Sequence, residues 1–195
     1  MHYALAGATL RDFAARHGVP VAETQAGKGA LTWDHPCAVG AIGVTGGGAA
    51  NALAAEADAV LAIGTRLSDF TTASCTVFRN PELRLIQLNI AAYDAVKHSA
   101  LPLVADAQAG LSGLSQALAG WEAPSVWTAK VHRLAAEWND AVAQATAPSN
   151  AAAPSDAQVL GAVNHNAAPG DIVVCAAGGL PGELHKLWRC REPGA

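Results

Sequence analysis

The sequence predicts an α/β protein with a parallel sheet covered by helices, and three observations carry this. Short apolar runs with β-branched residues alternate with helical patterns along most of the chain, the arrangement that builds parallel sheets through helical crossovers. Apolar residues make up 51% of the chain and charged residues only 14%, a balance that suits a buried core and argues against disorder. The run Ile172-Val173-Val174-Cys175 leads straight into Ala176-Ala177-Gly178-Gly179-Leu180-Pro181. It reads as a strand buried on both faces that enters a glycine-rich turn, and in open α/β sheets ligands sit at the carboxyl ends of strands.

The elements follow in order. Leu10, Phe13, Ala14 and His17 recur at helical spacing, and Gly18-Val19-Pro20 stops that helix. Pro20-Val21-Ala22-Glu23 reads as a short strand, and residues 24–45, rich in glycine and turn formers, as a long ordered loop. Gly46-Gly47-Gly48 opens a helix through Ala49, Leu53 and Glu56. Residues 59–63, 83–90 and 101–104 read as three further strands. Asp106 is a suitable N-cap for a helix carrying Leu111, Leu114 and Leu118.

Beyond Gly120 the pattern changes. Trp127, Val131, Leu134, Ala135, Trp138 and Val142 fall on one face of a long helix. Residues 145–154 hold only Ala, Ser, Thr, Asn and Pro, a linker composition. Ser155-Asp156-Ala157-Gln158 is a capping box that starts a new helix. The expected division is therefore a first domain over 1–120, a connecting helix and linker over 121–154, and the start of a second domain over 155–195.

The net charge of −4 gives no general attraction to nucleic acid or to an anionic membrane surface. No apolar run reaches the length of a membrane span, and the first residues lack the basic-then-apolar pattern of a signal peptide. Cys37, Cys75, Cys175 and Cys190 are scattered, which reads as reduced thiols of a cytoplasmic protein. His35, Cys37, His98, His132, His165 and His185 lack metal-ligand spacing. No G-x-S-x-G surrounds any serine.

Several segments carry two readings each. Gly46-Gly47-Gly48-Ala49-Ala50-Asn51 departs from the dinucleotide fingerprint at Asn51 and follows no evident strand. It is either an anion site at a helix N-terminus or a tight loop entering a helix, and the tight loop is favoured. Arg66 in Gly64-Thr65-Arg66-Leu67-Ser68-Asp69 either meets a phosphate or pairs with Asp69. Lys28 fails the P-loop pattern and reads as a surface lysine. Glu183 and His185 either touch a ligand or lie on a solvated helix face, with the second favoured. Gly178, Gly179, Leu180 and Pro181 form the candidate ligand turn, since Gly178 and Gly179 allow close backbone approach.

With these residues in view, the chain resembles the thiamine-diphosphate-dependent enzymes. Within them it is most similar to the trihydroxycyclohexanedione acylhydrolases of inositol catabolism. The resemblance lies in Glu23-Thr24-Gln25-Ala26-Gly27-Lys28-Gly29-Ala30-Leu31, Gly40-Ala41-Ile42-Gly43-Val44-Thr45-Gly46, the Gly64 segment through Thr72, and Ala176-Ala177-Gly178-Gly179-Leu180-Pro181-Gly182-Glu183-Leu184-His185-Lys186-Leu187-Trp188. It covers nearly the whole chain and is weakest over 121–154. The Gly64 segment is shared with acetolactate synthases.

The resemblance implies the parallel-sheet central domain of such an enzyme plus the first elements of its diphosphate-binding α/β domain. It places Gly178, Gly179, Leu180 and Pro181 beside the cofactor diphosphate. It implies thiamine diphosphate and Mg²⁺ as cofactors, a cyclic diketone substrate opened by C–C cleavage, and a homo-oligomeric full-length protein. The family's Gly-Asp-Gly…Asn metal motif and its activating glutamate do not occur here, so the chain is expected to be a fragment without catalytic or metal-binding residues. FAD, held by some related central domains, is not expected. The alternatives are another thiamine-diphosphate enzyme of the acetolactate synthase type, a non-catalytic nucleotide-binding module using Gly46 to Gly48 and Arg66, or a structural domain.

Overall fold

The computed structural model describes residues 1–150, 152–168 and 170–194. The chain opens with helix α1 (Gly7–His17), which buries Leu10, Phe13, Ala14 and His17 and ends at Gly18 in the left-handed conformation, a residue without the Cβ penalty of that region. Strand β1 (Val21–Glu23) follows and pairs in parallel with β2 (Ala38–Ala41). Strand β2 corrects the expectation of an unbroken loop over 24–45. Ala38-Val39-Gly40-Ala41 carries little β-propensity, and the strand exists because β1 pairs with it and Val39 is buried. The register shifts at Val21/Ala22, opposite Gly40, whose φ is +81°, a bulge that needs glycine.

Helix α2 (Gly48–Glu56) leads to β3 (Ala59–Ile63), and the short helix α3 (Asp69–Thr72) to β4 (Arg84–Asn89). After α4 (Ala92–Ala95) comes β5 (Leu101–Val104). These three strands form a parallel sheet in the order β3-β4-β5. Asp106 caps α5 (Ala107–Ala117) by accepting from the amides of Gln108 and Ala109. Leu10 and Phe13 of α1, Leu31, Leu88 of β4 and Leu111 of α5 make the first core cluster.

The long helix α6 (Ser125–Ala145) lays its predicted apolar face on α2 and β2, where Val39, Ala49, Ala50, Leu53 and Val131 form a second cluster. The capping box is present: Ser155 accepts from the Gln158 amide, and the Gln158 side chain accepts from the Ser155 amide. It opens α7 (Asp156–Asn166), which packs on α8 (Gly179–Leu187). Val142, Leu160 and Leu187 form the third cluster, and Trp138 touches both the second and the third.

The predicted strand at residues 172–175 does not form. Ile172 is 78% and Val174 90% exposed, and no strand among the described residues lies beside them. A parallel strand is held by neighbours that satisfy its N–H and C=O groups; here the apolar run joins no sheet among the described residues. Cys175 is accordingly exposed rather than buried. Pro169, read as part of the turn before this run, lies outside the described residues, as does Ala151 of the linker.

Candidate functional site

The glycine turn is the N-terminus of α8. Gly178 stands at the N-cap with φ 144° and ψ −167°, in the region open to glycine and costly for other residues. Gly179 is the first helical residue, and a Cβ added there would meet no atom within 4 Å. Gly178, Gly179 and Leu180 are exposed and Pro181 half-buried. No side chain caps this end and no acidic residue lies in the first turn. Pro181, in the first turn, lacks an N–H that would be unpaired there anyway. The amides of Gly179 and Leu180 are therefore free donors at the positive end of a helix dipole, a chemistry that fits an anionic diphosphate.

The body of α8 is fixed from the other side. His185, a buried residue, donates from Nε2 to the Glu23 carbonyl at 3.1 Å, and Thr45 Oγ1 lies 2.9 Å from Nδ1. The favoured reading of His185 as a solvated helix-face residue is thus corrected: the ring is buried and both of its nitrogens are engaged. Glu183 is half-buried and pairs with Lys186 at 2.8 Å. Glu23 is itself buried; its carboxylate accepts from the amides of Gly29 (3.0 Å) and Leu31 (3.5 Å) and pairs with Lys28 at 3.5 Å. Lys28 is therefore a partly buried partner of Glu23, not a free surface lysine.

Burial holds His185 below its ordinary pKa of 6.5, reinforced by the Lys28 charge and opposed by the hydrogen bond to the Glu23 carbonyl. His35 is shifted the same way, chiefly by burial. The folded state thus binds these protons less readily than the unfolded chain, so stability is full above pH 6.5 and falls as pH drops below it. Burial raises the Cys37 thiol above 9.0, and stability falls again as pH rises past that value. Urea midpoints measured from pH 5 to 10 should form a plateau between these limits, and His185→Gln should flatten the acid side.

The Gly46 loop resolves as structure. It follows β2, so a strand does precede it. The Asn51 side chain accepts from the Gly43 amide and donates to the Gly43 carbonyl, both at 3.0 Å. A Cβ on Gly47 would lie 2.6 Å from the Trp138 indole, and one on Gly46 2.7 Å from Asn51 Oδ1. The glycines make room for this chain's own Trp138 and Asn51 at the start of α2. Arg66 is exposed, and among the described residues no ion pair joins it to Asp69. Of the two readings of Arg66, the pairing with Asp69 does not form among the described residues. His35 Nδ1 accepts from the Cys37 amide at 3.1 Å, a local turn. No group of three metal-ligating side chains occurs among the described residues, and no described helix is long and apolar enough to cross a membrane.

Glu23 and Thr45 were not singled out from the sequence as site residues. A legible signal was the spacing of Gly182 and His185, three apart on one helix face, where a missing side chain beside a histidine marks a close approach.

Residues 1–114 match the family model for the central domain of thiamine pyrophosphate (diphosphate) enzymes. Over 99% of its length the chain is 36% identical to a protein of Bacillus cereus named 3D-(3,5/4)-trihydroxycyclohexane-1,2-dione hydrolase 2, covering 34% of that protein. A protein of Geobacillus thermodenitrificans named 3D-(3,5/4)-trihydroxycyclohexane-1,2-dione hydrolase is 33% identical over 98% of the chain and 33% of its own length. One of Clostridium tetani with the same name is 31% identical over 96% of the chain and 33% of its own length. The chain spans about a third of the length of these curated relatives. With parallel sheets flanked by helices and a central-domain match over residues 1–114, the chain belongs to the thiamine pyrophosphate enzyme family.

Proposed function

We propose that this chain is part of a thiamine-diphosphate- and Mg²⁺-dependent hydrolase that opens the ring of trihydroxycyclohexane-1,2-dione by C–C cleavage in myo-inositol catabolism. The observation that carries it is the uncapped, open N-terminus of α8 at Gly178 and Gly179, within a segment similar to proteins named for that hydrolysis. Residues 1–120 serve as the central domain, 121–154 as connecting helix and linker, and 155–195 as the start of the diphosphate-binding domain. The protein acts in the cytoplasm as a homo-oligomer.

In this reading Gly178, Gly179, Leu180 and Pro181 line the cofactor diphosphate, and the free amides of Gly179 and Leu180 donate to it. When bound, thiamine diphosphate supplies the carbanion chemistry. This chain's residues bind and orient; none is assigned a catalytic role, and the Mg²⁺ ligands implied by the resemblance are not among residues 1–195. Purified full-length protein should open the dione ring only with thiamine diphosphate and Mg²⁺ present, followed by loss of the dione on a chromatograph. The 195-residue chain alone should show no turnover under the same conditions. A full-length protein inert toward the dione, or cofactor-dependent turnover by the chain alone, would contradict the proposal.

A further inference from the structure

We propose that His185 is a positioning residue: by bridging α8 to Glu23 and Thr45 it holds the Gly178–Gly179 turn where the cofactor diphosphate is received. The inference rests on the reading of that turn as part of the diphosphate site, and adds what sets its place.

The turn has few contacts of its own. Gly178 and Gly179 are exposed, no side chain caps them, and among the described residues beyond its chain neighbours a Cβ on Gly178 would approach only Pro181 Cδ, at 3.9 Å. Its location therefore follows from how α8 is seated. His185 lies two turns further along α8 with its ring buried, and both ring nitrogens are engaged. The Glu23 carbonyl can only accept, so Nε2 carries the proton and Nδ1 accepts from the Thr45 hydroxyl. One tautomer and one ring orientation satisfy both bonds. The residues so joined are 140 and 162 positions apart in sequence.

Both anchors are stiff. The Glu23 carbonyl also accepts from the Ile42 amide, within the β1–β2 pairing, at 3.0 Å. Thr45 lies in a turn closed by the Gly46 amide donating to the Gly43 carbonyl at 2.9 Å, which Asn51 clamps from within. Gly182, three residues before His185 on the same face, lies so close that a Cβ there would be 2.9 Å from Thr45 Cγ2. Helix α8 thus rests directly on Thr45, and a small tilt about that contact moves the glycine turn at its end.

The test uses the full-length protein and reads thiamine diphosphate affinity by calorimetry in the presence of Mg²⁺, with the melting temperature of the cofactor-free protein alongside. Thr45→Val keeps the shape and removes the hydroxyl; His185→Gln keeps an Nε2 donor for Glu23 and removes the acceptor for Thr45. Each should weaken cofactor binding about tenfold, as for loss of one hydrogen bond between partly buried groups. The double variant should lose no more than either single one, because both remove the same bond. The dione rate should recover at raised thiamine diphosphate. Lower melting temperatures with unchanged affinity would mark His185 as merely structural and overturn the proposal, and Thr45→Val alone decides it should His185→Gln fail to fold. Gly179→Val separates the two readings. If it weakens binding while the Thr45 and His185 variants do not, only the positioning role falls; if it too leaves affinity unchanged, the diphosphate reading falls with it.

Discussion

Gly47→Ala is expected to destabilise the protein by about 1–3 kcal/mol, the usual cost of forcing a methyl into a filled space. The new Cβ would meet Trp138 at 2.6, 2.8 and 2.9 Å, distances that real side chains do not tolerate. Gly47 has φ −83°, so the backbone itself accepts alanine and the whole cost is the collision. Trp138 is held between the α2–α6 cluster and the cluster of Val142, Leu160 and Leu187, which leaves the indole little room to retreat. The same substitution in a Trp138→Ala background should be nearly neutral, since the colliding ring is gone. A double-mutant cycle by urea unfolding should therefore give a coupling above about 1 kcal/mol. Full additivity would mean that Gly47 is needed for something other than Trp138, and would reopen the anion-site reading of the Gly46 loop.

Gly179→Val should have the opposite profile. Its Cβ meets no protein atom within 4 Å, and the residue is helical, so stability should change by less than about 1 kcal/mol. The branched side chain would instead fill the space in front of the free Gly179 and Leu180 amides. Thiamine diphosphate affinity of the full-length protein should drop on the order of 100-fold, roughly 3 kcal/mol. Gly178→Val is expected to harm both properties, because φ 144° is strained for any residue with a side chain. The contrast between adjacent glycines separates a ligand role from a backbone role.

The parts of the fold legible in the sequence are those where local chemistry and tertiary packing agree. The α1 stripe, the strands at 59–63 and 101–104, the Asp106 cap and the Ser155 capping box each announce themselves within a few residues. Strand β2 was hidden because Ala38, Gly40 and Ala41 have no strand preference and depend on β1, far enough away in sequence to leave no periodic trace. The apolar run at 172–175 misled for the converse reason: composition reports a preference for burial, while a strand also needs a neighbour. For the site, the glycine turn was legible as a motif, but its seating was not. His185 looks like an ordinary polar helix residue until Thr45 and Glu23, more than a hundred positions away, are brought against it.

The central claim, that the N-terminus of α8 receives the cofactor diphosphate, is tested most directly by a crystal structure of the full-length protein with thiamine diphosphate and Mg²⁺ bound. Diphosphate oxygens about 3 Å from the Gly179 and Leu180 amides, within ordinary hydrogen-bond range, are the expected result. A cofactor whose diphosphate lies elsewhere, with those two amides facing solvent or another part of the chain, would contradict it.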